Sequence, residues 1–76
     1  MTASITLTGV LGPAPMLPWI EGHAAKLGIR MRVISASQTC IRFEATGAEE
    51  MLQALTLGCS LGPHGVWVET ADLTTL

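Results

Sequence analysis

Residues 29–45 read IRMRVISASQTCIRFEA and carry the clearest structural pattern in the chain. Polar and apolar residues alternate along 29–33 and again along 40–45, which is the pattern of a strand with one buried face. The residues between the two runs, 35–39, are polar and few, as in a hairpin turn. The stretch therefore predicts a pair of adjacent antiparallel strands. Their inward side chains are expected to be Ile29, Met31, Val33, Ile41, Phe43 and Ala45.

The segment before this pair predicts a strand, a loop and a helix. Residues 4–8 alternate as a half-buried strand, and residues 9–18 are rich in glycine and proline, which predicts a loop. A helix is expected after Pro18, because proline is tolerated in a first helical turn, and it should end at Gly28. The apolar stripe of that helix is expected to be Ile20, Ala24 and Leu27.

The segment after the pair predicts a second helix and a last strand. Residues 46–49, TGAE, fit a capping box, in which Thr46 and Glu49 would satisfy backbone groups at the helix start. Gly62 and Pro63 should end the helix, and residues 66–69 read as a strand. The helix face toward the core is expected to contain Ala48, Met51, Leu52, Leu55 and Cys59.

The order strand, helix, strand, strand, helix, strand predicts an α+β fold of the ferredoxin-like βαββαβ type. In this two-layer sandwich, a four-stranded antiparallel sheet carries both helices on one face. A chain of 76 residues suits a single domain spanning residues 1–76. The hydrophobic fraction of 49% against 13% charged residues excludes a disordered chain.

The charge and the cysteine content indicate which binding partners and which cellular compartment to expect. The net charge is −2 and the four basic residues form no continuous stripe, which argues against a nucleic-acid partner. Residues 1–20 lack the basic start of a signal peptide and are interrupted by glycine and proline, so no membrane segment is expected. Cys40 and Cys59 are predicted to be free thiols in a cytoplasmic, monomeric protein. The spacing of cysteine and histidine fits no zinc pattern, and we expect neither a metal nor a cofactor.

Four stretches resemble the acylphosphatase family, in the same order and at nearly the same spacing. Residues 9–20, GVLGPAPMLPWI, resemble the glycine-rich loop between the family's first strand and first helix. Residues 25–29, AKLGI, resemble the helix end and the start of the second strand. Residues 44–50, EATGAEE, resemble the exit of the third strand, and residues 61–66, LGPHGV, the turn before the last strand. The resemblance covers most of the chain and implies the same fold.

The resemblance also implies which positions would form an active site. In the family an arginine at the end of the loop clamps the phosphate, an asparagine after the second strand positions the attacking water, and backbone N–H groups of the loop cradle the phosphate. Leu17 occupies the arginine position and Ser35 the asparagine position. The residues of the corresponding ligand loop are Gly12, Pro13, Ala14, Pro15 and Met16.

These substitutions remove the groups on which the chemistry depends. Leucine has neither charge nor donor, serine lacks the amide, and each proline lacks an N–H. Losing one preorganised donor typically costs about 10²–10³ in turnover. The resemblance therefore implies a domain that keeps the fold without the hydrolase activity, as a binding or regulatory module for a small anion or a protein.

Two alternatives remain open. An acylphosphatase with a rearranged site would use Arg42 as a substitute clamp. Alternatively, the open face of the sheet, where Arg32, Arg42 and Trp67 are expected, would bind a protein or a nucleic acid. A protein is favoured over RNA, because the several exposed aromatic residues of RNA-binding sheets are missing.

Overall fold

The computed structural model of the protein describes residues 1–62 and 66–76, without the side chains of residues 13–15. The elements are β1 (Thr2–Val10), α1 (Pro13–Lys26), β2 (Arg30–Ala36), β3 (Cys40–Thr46), α2 (Glu49–Leu61) and β4 (Trp67–Thr75). The four strands form one antiparallel sheet in the order β2-β3-β1-β4, and this arrangement confirms the predicted βαββαβ fold. No helix of the described residues is long and apolar enough to cross a membrane.

The core lies between one face of the sheet and the two helices. Ile5 of β1 lies opposite Phe43 of β3 and Leu73 of β4, so the centre of the sheet is apolar on the helix side. The inward residues predicted for β1 and β3 are confirmed, because they are fully buried. The buried set is Ala3, Ile5, Leu7, Leu11, Met16, Ile20, Ala24, Ile29, Ile41, Phe43, Ala45, Leu52, Leu55 and Cys59.

The predicted loop over residues 9–18 is wrong, because α1 begins at Pro13 and only residues 11–12 separate it from β1. The first N–H groups of a helix have no carbonyl partner within the helix, so proline there loses nothing. Pro18 lies inside the helix, where it removes one helical hydrogen bond. The helix ends as predicted, with Gly28 at a φ of 69° directly after the C-cap.

β2 is longer than predicted and contains an irregularity. It continues to Ala36, so Ser35 lies in a strand and not in the predicted turn. Val33 is paired with Phe43 and Ser35 with Arg42, which leaves Ile34 as an extra residue in the ladder. Val33 shares the core side with Phe43 but remains 36% exposed, because β2 is an outer strand and the helices cover it only in part.

The capping box predicted at residues 46–49 is wrong. Thr46 is the last residue of β3, and its Oγ1 lies 3.0 Å from the Oγ1 of Thr2. The N-cap is Ala48, which is exposed and offers no side-chain acceptor. Glu49 and Glu50 still lie in the first helical turn, where their charge suits the positive end of the helix dipole.

The core face of α2 is confirmed for Leu52, Leu55 and Cys59. Met51 lies at the margin of this face and is 37% exposed, and Ala48 lies outside it. Both cysteines are free, as the sequence predicts.

Burial makes Cys59 resistant to thiol reagents. Desolvation raises the pKa of the Cys59 thiol from 9.0 to about 12, and the thiolate is the reactive form. At neutral pH we expect a thiol reagent to label Cys40, which is half-buried, and to leave Cys59 unmodified until the protein is unfolded. Mass spectrometry of the labelled peptides measures this. Rapid native labelling of a Cys40→Ser variant would contradict the expected burial of Cys59.

The raised pKa of Cys59 also makes the stability of the folded protein depend on pH in alkaline solution. Because the pKa of Cys59 is higher in the folded state, the unfolded chain loses its proton first. The free energy of unfolding contributed by this thiol therefore falls as the pH rises from 9.0 toward about 12.

Candidate functional site

The candidate site lies at the end of the sheet where β1 stops and β4 begins. The β1–α1 junction at residues 11–12, the β2–β3 turn at residues 37–39 and Trp67 all lie at this end. The stretch before β4 that carries part of the resemblance is residues 61–66. Its residues 63–65 lie outside the described part of the structure.

Backbone N–H groups at this end hydrogen-bond within the protein. The bonds run from Gly9 N–H to Thr39 O (3.1 Å), from Leu11 N–H to Gln38 O (2.7 Å) and from Met16 N–H to Gly12 O (2.8 Å). The first two connect the β1–α1 junction to the β2–β3 turn. Pro13 and Pro15 have no N–H to offer. Five of the eight residues at positions 9–16 therefore have no free N–H group to offer a phosphate.

Leu17 and Met16 belong to the helix layer. Met16 is fully buried in the core, and Leu17 is half-buried and packs against it. The segment predicted to be a ligand loop thus contributes core residues at its C-terminal end. The side chains of residues 13–15, which the sequence places in the same loop, lie outside the described part of the structure.

Ser35 lies on the other side of the sheet. It is paired with Arg42, whose neighbours in β3, Ile41 and Phe43, are both buried on the helix side. Directly paired residues share a face and successive residues alternate, so Ser35 and Arg42 both lie on the open face. Leu17 lies on α1 and packs against the core, whereas Ser35 lies on the open face of β2.

The predicted surface residues Arg32, Arg42 and Trp67 all lie on the open face, at different places along it. Arg32 donates a hydrogen bond from Nη2 to Oε1 of Glu44 at 3.0 Å, and Arg42 lies beside Thr6 of β1. Trp67 is 69% exposed at the end of the face where β1 stops. The face therefore carries cationic groups at β2 and β3 and an aromatic side chain at β4.

Val10 also belongs to this surface, although it was not predicted from the sequence. Val10 is paired with Trp67 and is 70% exposed, so the two side chains form an apolar patch at the end of the sheet. The available signal was the two-residue period of β1, which places Val10 on the same face as Thr6 and Thr8 although Val10 is apolar. Gly9 obscured it, because glycine next to Gly12 and the prolines was interpreted as the start of a loop.

A shallow cavity lies at the opposite end of the open face. Its volume is about 230 Å³, and its lining includes Arg30 and the ion pair between Arg32 and Glu44. Thr2 and Thr46 also line it, and their hydroxyl groups contact each other. This cavity is separate from the β1–α1 junction, because Thr2 and Thr46 lie at the other end of β1 and β3.

Comparison with solved structures supports the fold. The chain is similar to an acylphosphatase from Bacillus subtilis, with a TM-score of 0.85 and 18% sequence identity over 96% of this chain and 81% of the other. It is also similar to an acylphosphatase from Coxiella burnetii, with a TM-score of 0.88 and 17% identity over 99% of this chain and 79% of the other. No protein-family model matches the sequence, and no curated protein matches it either. At this level of identity the likeness shows the fold alone.

Proposed function

We propose that this protein is an acylphosphatase-like domain without hydrolase activity that acts as a small binding or regulatory module. The observation that carries the proposal is the environment of Leu17. Its side chain has no donor and packs against the core, at the position where the resembling family has its phosphate-clamping arginine. An arginine clamp contributes a charge-assisted, often bidentate contact that an aliphatic side chain cannot replace.

The backbone at the β1–α1 junction supports the same conclusion. The N–H groups of Gly9, Leu11 and Met16 bond to carbonyl groups of the protein, and two prolines follow Gly12. A preorganised site requires donors that point at the reacting oxygen atoms and have no other partner. This segment therefore offers less to a phosphate than a free loop of the same length would.

The open face of the sheet is the proposed binding surface, and a protein is the proposed partner. Val10 and Trp67 expose apolar area, and Arg42 supplies a charge on the same face, beside Thr6. Tryptophan and arginine are enriched among the residues that anchor protein interfaces. Nucleic acid is less well matched, because Glu44 and Asp72 lie on the same face and the net charge is −2.

The test of inactivity is hydrolysis of benzoyl phosphate beside an authentic acylphosphatase. Each of the two missing side-chain donors should lower the rate by about 10²–10³ relative to an authentic acylphosphatase, so together they should lower it by about 10⁴ or more. The expected rate is that of the uncatalysed reaction. A double variant with Leu17→Arg and Ser35→Asn is expected to remain inactive, because Pro13 and Pro15 still withhold two backbone donors from the segment. A wild-type rate well above background would overturn the proposal.

A separate experiment tests the alternative in which the protein hydrolyses acyl phosphates with a rearranged active site. Ser35 and Arg42 are directly paired on the open face, which makes them the available polar pair for a different site. If hydrolysis is observed and Arg42→Ala abolishes it, that alternative is correct. Titration with inorganic phosphate, followed by amide chemical shifts, adds a binding readout. We expect no selective shifts at residues 9–16.

A further inference from the structure

We propose that this chain associates with further copies of itself edge to edge, with β4 of one copy pairing with β2 of the next. This association is independent of the catalytic question, and it departs from the monomer expected from the sequence. Among the described residues, β2 and β4 are the outermost strands of the sheet, and each presents one row of backbone groups that no other described strand pairs with. Such edges pair readily with another strand unless something blocks them.

The two free edges carry opposite charges. β2, RMRVISA, contains Arg30 and Arg32 and no acidic residue, and β4, WVETADLTT, contains Glu69 and Asp72 and no basic residue. Within residues 1–62 and 66–76 the ion pair is Arg32–Glu44, and no described cation pairs with Asp72. Contact between unlike edges is therefore favoured, whereas β2 with β2 or β4 with β4 places like charges together.

The strand directions permit this pairing without changing either copy. Neighbouring strands in the sheet are antiparallel throughout, so β2 and β4 of one copy run in opposite directions. Two copies in the same orientation then place β4 of the first antiparallel to β2 of the second. The combined sheet keeps its alternation, and all helices remain on one face.

Irregularities in β2 and β4 limit the registers in which the two strands can pair. The ladder shifts after Val33 in β2, and Glu69 is the extra residue of β4 opposite Thr8 and Gly9. The regular stretches are residues 30–33 and 70–75. Placing Arg32 opposite Asp72 aligns Arg30 with Thr74, Met31 with Leu73 and Val33 with Ala71.

This register matches side chains on both faces of the sheet. Val33 and Met31 lie on the helix side with their partners Phe43 and Ala45, as do Leu73 and Ala71 with Ile5 and Leu7. The apolar pairs therefore meet on the helix side, and the charged and hydroxyl groups meet on the open face. A shift of one residue would place arginine against leucine.

The helix side of β4 has room for the neighbouring copy. A groove of about 390 Å³ runs between α2 and β4, and its lining includes Leu57, Ala71 and Leu73. Leu57 is 68% exposed there. In the proposed register, Met31 of the next copy enters this groove. Because β2 and β4 are different surfaces, each copy keeps a free edge and the assembly can grow beyond a dimer.

The test is sedimentation velocity of the wild-type protein from about 10 μM to about 1 mM, a range that detects weak association. The weight-average mass is expected to rise with concentration beyond that of a dimer. It should fall again in about 0.5 M salt, because part of the attraction is between exposed charges. A constant monomer mass over the range, or a mass that stops at the dimer, overturns the proposal.

Charge reversal gives a sharper test. Asp72→Arg places like charges at the interface, and so does Arg32→Asp, so each variant alone should sediment as a monomer. An equimolar mixture restores opposite charges at both contacts and should associate again. The control Glu21→Arg, at an exposed position of α1, changes the net charge by the same amount as Asp72→Arg and should associate like the wild type. Failure of the mixture to associate contradicts the proposed edge contact.

One further readout uses the wild-type chain and needs no variant. Amide chemical shifts that change with concentration should map to residues 30–33 and 71–74. Shifts confined to β4 indicate a symmetric β4 contact, and shifts confined to Trp67 and Val10 indicate contact through the open face. Either result contradicts the proposal. Circular dichroism of each variant confirms that a loss of association is not a loss of fold.

Discussion

Replacing Gly9 with alanine is expected to destabilise the protein by about 3–5 kcal/mol, or to prevent folding. Gly9 has a φ of 147°, a conformation that residues with a Cβ rarely adopt. An added Cβ would lie 2.2 Å from the carbonyl oxygen of Trp67 and 2.8 Å from the backbone nitrogen of Glu69. Both atoms belong to the backbone of β4, so neither can move aside as a side chain would.

Urea unfolding followed by circular dichroism measures the effect. Gly22→Ala and Gly58→Ala are matched controls, because both glycines lie in helices and a Cβ at either would have no atom within 4 Å. Each control is expected to stabilise the protein by about 0.5–1 kcal/mol, since alanine is the better helix former. A loss below about 1 kcal/mol for Gly9→Ala would mean that the β1–β4 ladder relaxes around the new methyl group.

Phe43→Ala is expected to cost about 3–5 kcal/mol. Phe43 is fully buried at the centre of the sheet, between Ile5 of β1 and Val33 of β2. The truncation removes apolar contacts and leaves a cavity that a rigid sheet cannot close. Domains of this size are typically stable by only about 4–11 kcal/mol, so the loss is a large share of the total.

Leu57→Ala is the matched control for Phe43→Ala. Leu57 is a large apolar residue that is 68% exposed, and its truncation should change the free energy of unfolding by about 0.5 kcal/mol or less. Phe43→Leu should fall between the two, because it keeps part of the buried volume. Equal losses for Phe43→Ala and Leu57→Ala would show that the core is not organised around Phe43.

Local pattern was enough to predict the centre of the fold. Alternation along β1 and β3 identified Ile5, Leu7, Ile41 and Phe43 as buried, because a strand exposes successive residues to opposite faces. Helical spacing identified Leu55 and Cys59 for the same kind of reason. These predictions depend on neighbours within a few residues, and they hold wherever the element is packed.

The predictions at element ends depended on context and were less successful. Pro13 and Pro15 are compatible with either a loop or a first helical turn, and the burial of Met16 selects the helix. Thr46 has the composition of a cap, but pairing with Thr2 keeps it in β3. In both cases a contact with a distant part of the chain outweighed the local preference.

For the candidate site, too, some features follow from the sequence alone and others only from the tertiary structure. The residue types are read from the sequence alone, and the resemblance assigns Leu17 and Ser35 to the family's arginine and asparagine positions. The tertiary structure established that Leu17 packs into the helix layer and that the extra residue at Ile34 leaves Ser35 on the open face. Ladder register and the choice of outer strands follow from pairing between distant segments. The amino-acid pattern of one segment therefore specifies which side chains are buried, whereas only the assembled sheet specifies which of them meet.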